Sequence, residues 1–240
     1  MNRPDWLVTR PLAHRGLHSP GDLCPENSLA ALAAAQWAGF GAEIDVQLSA
    51  DGQVMVFHDR RLLRLTGLRG RLADRKAEDL TRLRLKGGRQ TIPTLAEVLA
   101  AFPNLPLLVE LKMDVKGGTG LAPAVARLLQ DHRGPAAVQS FDPALVAWFA
   151  DNCPDIPRGL IAYQRRSFGR KTVEPRFRPA FLDLARPDFL AWDVHSLPVA
   201  KRLTGDLPLL TWTVRSPRER QVAASHAENI IFEGWTPHHA

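Results

Sequence analysis

The sequence predicts a (β/α)8 barrel. Eight short apolar runs recur along 240 residues, and amphipathic helical stretches separate most of them. No glycine-rich dinucleotide fingerprint follows the first run, which weighs against an open doubly wound sheet. The composition, 45% hydrophobic and 23% charged, excludes a disordered chain and allows a large core. No apolar run approaches the roughly 18 residues that a membrane span needs.

Strands are expected, in order, near "RPLAHR", "AEIDVQ", "PLLVELK", "AAVQSF", "RGLIAY", "DFLAWDV", "LLTWTV" and "NIIFEG". Helices are expected over "SLAALAAAQWAG", "TLAEVLAAF" and "APAVARLLQDH", where apolar residues return at helical spacing, with Gly39 as a C-terminal stop. One segment breaks the alternation. After "AEIDVQLS" the chain continues "ADGQVMVFHD", which leaves no room for a helix. Asp51-Gly52 is a tight-turn pair, so a β-hairpin is expected between strands 2 and 3, with residues 53–58 antiparallel to residues 43–49. That register brings His58 opposite Asp45 and Glu43.

Residues 1–240 are expected to form a single domain, with a small cap segment around 60–91. The N-terminus has no apolar signal region. Cys24 and Cys153 match no metal spacing and are expected as reduced thiols, which together suggests a cytoplasmic protein. The formal net charge of +6 is uneven: residues 60–89 hold eleven Arg or Lys and residues 165–178 hold six. Such segments are either solvated surface or a positive field that gathers anions. No nucleic-acid motif accompanies them, so nucleic acid is not an expected partner. No stable membrane association is expected, and the oligomeric state is left open.

Glu43 and Asp45 lie two apart on a strand and face one side. Glu110 and Lys112 repeat that spacing on another. Like charges buried together need a shared cation, so Glu43, Asp45 and Glu110 suggest an all-oxygen site for one divalent cation, Mg2+ or Ca2+. Ordinary ion pairing with a neighbouring Arg is the alternative. His14 paired with His58 suits proton transfer near neutral pH. Arg15 offers a fork for phosphate oxygens and Lys112 a compact charge. Asn27 and Ser28 are both candidates to cap the helix that follows. Asp193 and His195 mark another strand end, and His238-His239 a terminal tail without an assigned role.

"HRG" at 14–16, "PENS" at 25–28, "EIDV" at 43–46, "DG" at 51–52, "HD" at 58–59 and "ELK" at 110–112 resemble the glycerophosphodiester phosphodiesterase family. "LTG" at 65–67, "IPTLAEVL" at 92–99, "SF" at 140–141 and "TWTV" at 211–214 continue the resemblance in the family's order over most of the chain. It implies an irregular TIM (β/α)8 barrel of the phospholipase-C-like phosphodiesterase type, the irregularity falling at the hairpin. It also implies Glu43, Asp45 and Glu110 as metal ligands and His14 and His58 as general acid and base. Arg15 and Lys112 would hold phosphate, Glu26 and Asn27 would complete the site, and Phe141 and Trp212 would line the pocket. One departure is the last strand, "IIFEGWTP", where Phe232 replaces a Thr and Glu233 stands in for an Asp.

The implied activity is metal-dependent hydrolysis of glycerophosphodiesters to an alcohol and glycerol 3-phosphate. The alternatives are a lysophospholipase D acting on lysophospholipids and a non-catalytic protein that binds a phosphate ligand.

Overall fold

The computed structural model describes residues 4–19, 24–113, 120–167, 170–173, 179–197 and 205–237. The chain divides into two compact units, residues 13–136 and residues 1–12 with 137–240. Part of the basic 165–178 stretch and the His238-His239 tail lie outside the described residues.

The first strands in chain order are β1 (Leu12–Ala13), β2 (Gly41–Leu48), β3 (Val54–Val56) and β4 (Leu107–Leu111). In the 13–136 unit β2 pairs parallel with β4, setting Asp45 beside Glu110. Residues Gly41 to Val46 are buried without a break, as expected for a strand covered on both faces. On its C-terminal half β2 pairs antiparallel with β3, with Val46 opposite Val56. The expected hairpin is present, but its second strand is only three residues long. Phe57 N–H still donates to Asp45 O at 2.9 Å. Beyond it the Gln47 side-chain amide donates to Phe57 O and Asp59 O, so a side chain takes over from the ladder.

The loop after β1 lies against the helix Leu29–Trp37. Gly16, at φ +77°, has no room for a Cβ, which would fall 2.8 Å from Ala31. Ser28 caps this helix, its hydroxyl accepting from Ala31 N–H at 3.2 Å. Asn27 is thereby left for another use. Gly39, in the left-handed region at φ +79°, follows the helix end. Thr94 and Glu97 form a capping box at the start of the helix Leu95–Ala101.

Residues 60–91 contain two short helices, Leu63–Thr66 and Ala77–Thr81, and a 3-10 turn at Leu72–Asp74. Leu62, Leu72, Leu80 and Leu85 from this cap pack with Met55 and Phe57 of the hairpin in one buried cluster. The cap and the hairpin thus share one core.

In the second unit the strands are β5 (Ala136–Ser140), β6 (Arg158–Ala162), β7 (Gln164–Ser167), β8 (Arg170–Val173), β9 (Phe189–Asp193), β10 (Leu209–Val214) and β11 (Asn229–Phe232). The pairs β5–β6, β6–β9, β9–β10 and β10–β11 are all parallel. Helices Pro143–Asn152, Pro179–Ala185 and Pro217–Ala224 fall between these strands. Asn229 of β11 donates to Leu7 O and Arg10 O, tying the strand to the N-terminal helix Asp5–Thr9. The antiparallel pair β7–β8 was not expected, because its run of arginines and a lysine carries little strand signal.

Neither Cys24 nor Cys153 is in a disulfide. Among the described residues no helix is long and apolar enough to cross a membrane.

Candidate active site

Strands β2 and β4 bring three carboxylates together. Glu43, Asp45 and Glu110 are all buried, and a ligand oxygen from each lies within 4.8 Å of the others. Water contributes little at such depth, so the acids must be balanced by protons or cations. Burial and the charges of Asp45 and Glu110 push the Glu43 carboxyl well above its usual pKa. Burial also raises Glu110, against the pull of Lys112. Asp45 moves the other way: burial opposes its ionisation, but Lys112 and Arg15 outweigh it. Lys112 Nζ lies 2.6 Å from Asp45 Oδ1 and 2.5 Å from Glu110 Oε1. Glu43 Oε1 is buried with no hydrogen-bond partner among the described residues. An unpartnered carboxylate oxygen within an all-oxygen trio is the donor set that a hard divalent cation takes.

The loop between β1 and the first long helix closes over this trio. Asn27 donates to Asp45 Oδ2 at 2.8 Å and accepts from Asp45 N–H at 3.2 Å. Arg15 N–H donates to Glu43 Oε2 at 3.1 Å, and Arg15 Nε lies 3.3 Å from Asp45 Oδ2. Both Arg15 and Asn27 adopt φ of 57°. The left-handed region costs a non-glycine residue about 1 kcal/mol, so the chain holds two strained residues at this place. Asn27 N–H donates to Arg15 O at 2.8 Å, which locks the two together.

His14 Nε2 lies 3.9 Å from Glu43 Oε2. His58 follows β3, and its Nδ1 is 2.8 Å from Asp59 Oδ1. Asp59 is held below the usual carboxylate range because hydrogen bonds from Arg64 and His58 overcome its burial. An ionised Asp59 only accepts, so Nδ1 carries the proton and Nε2 of a neutral ring is free to accept one. Burial lowers the His58 pKa, opposed by Asp45 and reinforced by Lys112 and Arg15.

Sequence reasoning missed Arg64. Its Nε and Nη2 donate to Asp59 at 2.6 and 3.0 Å, while Nη1 and Nη2 donate to Glu26 at 2.7 and 2.8 Å. Glu26 Oε1 also accepts from Arg15 Nη1 at 2.8 Å. Nothing local announces Arg64, since Glu26 is 38 residues away. Asp59 was visible only as the second residue of "HD". A cavity of about 320 Å3 also lies in this unit, lined among others by Gln47, Arg60, Arg71 and Lys112.

The structure therefore gathers His14, Arg15, Glu26, Asn27, Glu43, Asp45, His58, Glu110 and Lys112 within one unit. Phe141 and Trp212 belong to the other, where Phe141 meets Trp212 and Tyr163 edge-on, with ring centroids 5.5 and 5.9 Å apart. Glu233 accepts from Arg215 at 2.6 Å. Asp193 accepts from Ser196, and His195 Nε2 lies 4.0 Å from Glu219.

Residues 14–236 match the glycerophosphoryl diester phosphodiesterase family. The chain belongs to this family. A glycerophosphodiester phosphodiesterase of Bacillus altitudinis is 31% identical over 166 residues, 64% of this chain and 66% of that protein. The human lysophospholipase D GDPD1 is 31% identical over 121 residues, 45% of this chain and 38% of that protein. The match spans less than two thirds of either relative. Among solved structures, an Oleispira antarctica phosphodiesterase in complex with the product sn-glycerol-3-phosphate superposes with a TM-score of 0.78 at 24% identity. That likeness covers 95% of this chain and 94% of the other, and it shows the fold class of the glycerophosphoryl diester phosphodiesterases, a TIM (β/α)8 barrel.

Proposed function

We propose that the protein hydrolyses glycerophosphodiesters, releasing an alcohol and glycerol 3-phosphate. The observation that carries this reading is the buried trio Glu43, Asp45 and Glu110 with His14, His58, Arg15 and Lys112 around it. Family membership over residues 14–236 and the product named in the Oleispira complex support the same chemistry.

Glu43, Asp45 and Glu110 would hold one divalent cation, Mg2+ or Ca2+. When bound, that ion supplies Lewis-acid stabilisation of charge on the phosphoryl oxygens. Arg15 and Lys112 bind and orient the phosphodiester through charge-assisted hydrogen bonds. Glu26 holds the Arg15 guanidinium and Asn27 holds the Asp45 carboxylate. One histidine accepts the proton of the nucleophile, a water or the substrate's own glycerol hydroxyl, as its oxygen bonds to phosphorus and the phosphorus–oxygen bond to the alcohol breaks; where the glycerol hydroxyl attacks, water then opens the cyclic phosphate. The other donates a proton to the departing alkoxide. Asp59 fixes the His58 ring with Nε2 available for that exchange. Two groups with opposite protonation tasks give a bell-shaped pH profile. One barrel domain with the 60–91 cap, and a reducing cytosolic setting that suits two thiols, complete the reading.

The likeness to the human lysophospholipase D favours a second reading in which one glycerol hydroxyl of the substrate is acylated. One experiment tests both: a screen of glycerophosphocholine, glycerophosphoethanolamine, glycerophosphoglycerol and lysophosphatidylcholine with Mg2+, Ca2+ or chelator. Release of glycerol 3-phosphate, abolished by chelator, is the expected result. Release of lysophosphatidic acid in preference supports the second reading. No release from any member with any ion overturns both and leaves a phosphate-binding protein.

A further inference from the structure

Arg64 sits in the cap, outside the trio and both histidines, yet it reaches two residues of the site through one carboxylate each. Its guanidinium forms two forks. Nε and Nη2 grip both oxygens of Asp59, and Nη1 and Nη2 grip both oxygens of Glu26. In each pair one oxygen is shared: Asp59 Oδ1 with His58 Nδ1, and Glu26 Oε1 with Arg15 Nη1. Paired forks of this kind fix both plane and distance, which a lysine ammonium cannot do. Glu26 and Asp59 are only 10% and 21% exposed at their side chains, so solvent competes weakly for them.

We propose that Arg64 is a positioning residue that sets His58 through Asp59 and Arg15 through Glu26. The inference rests on the phosphodiesterase reading of the site. It gives the cap a task in turnover, because Arg64 belongs to the cap helix Leu63–Thr66. The two branches have different kinetic signatures. Loss of the Asp59 branch misaligns a proton-transfer ring and lowers kcat. Loss of the Glu26 branch loosens a phosphate-binding guanidinium and raises KM.

The test is a set of double-mutant cycles with glycerophosphocholine, read as kcat and KM separately. Arg64→Ala is expected to lower kcat/KM by roughly 10–100-fold, the usual cost of removing an orienting partner, through both parameters. Asp59→Asn should lower kcat alone and Glu26→Gln should raise KM alone. Adding Arg64→Ala to Asp59→Asn should change kcat by no more than about twofold, and adding it to Glu26→Gln should likewise leave KM in place. Arg64→Lys keeps the charge but not the second fork, and should recover one parameter and not the other. Where Arg64→Ala does not fold, Arg64→Gln and Arg64→Lys carry the same cycles. Wild-type kcat and KM in folded Arg64 variants, or losses that multiply across each cycle, would overturn the inference while leaving the phosphodiesterase reading in place. Absence of turnover by the unaltered protein on every diester would remove both.

Discussion

An aspartate stands in a strand of each unit, and the two have opposite surroundings. Asp45 in β2 is fully buried, bonded by Asn27 and flanked by Lys112 and Arg15. Asp193 at the end of β9 is half-buried and accepts from the Ser196 hydroxyl in the 3-10 turn that follows. Both fit a β/α pattern equally well. The difference lies in what else is buried. Next to Asp45 the strands submerge two more acids, and the chain spends two cations and an amide on keeping them there. Next to Asp193 the buried strand residues are apolar, Leu190, Ala191 and Trp192. An acid needs counter-charges of its own to persist inside a protein, and such a cluster is where chemistry is found.

The comparison is broken most severely at the histidine. His58→Ala should reduce turnover by about 10²–10⁴-fold with the fold intact, measured as release of glycerol 3-phosphate. Near-normal turnover would put the proton transfer elsewhere. Next is Lys112→Met, which leaves Asp45 and Glu110 without their shared ammonium. In chelator it should destabilise the protein by about 3–5 kcal/mol, as expected for one broken partner of a buried pair, with part restored by a divalent cation. Urea titration with and without Mg2+ checks both statements.

A smaller effect concerns pH. Glu26 and Asp59 both lie below their ordinary values of 4.5 and 3.8: burial opposes this, and hydrogen bonds from arginine outweigh it. The unfolded chain therefore binds more protons than the folded one in acid. Their contribution to stability is complete above about pH 4.5 and is lost as pH falls through the lowered folded values. A Glu26→Gln, Asp59→Asn double variant should show a shallower acid limb in melting temperature against pH. The smallest effect belongs to the second unit. Asp193→Asn keeps an oxygen acceptor for the Ser196 hydroxyl and should cost no more than about 1 kcal/mol, the net scale of one hydrogen bond, with turnover unchanged. A large loss of activity there would erase the contrast between the units.

Much of this was legible in residue order. The spacing of Glu43 with Asp45, and of Glu110 with Lys112, identified groups on one strand face. Asp51-Gly52 announced the hairpin that delivers His58. Local chemistry could not choose between Asn27 and Ser28 as the helix cap; only the position of Asp45 decides it. Arg64 was hidden because one of its partners, Glu26, comes from a distant loop, and its neighbour Asp59 stood out only as part of "HD". The β7–β8 pair was hidden because arginine-rich strands have no apolar alternation to reveal them. The contact of Phe141 with Trp212 joins the end of β5 to β10, which are separated in the sheet by β6 and β9, so no local spacing reveals it.

Met55 and Phe57 lie in the same apolar cluster as the leucines of the cap. Hairpin and cap cannot come apart without exposing that cluster. His58 is the next residue after Phe57, so its backbone is anchored at the edge of that cluster. A proton-transfer group is thus moored by the apolar side chains of a segment that supplies none of the three acids.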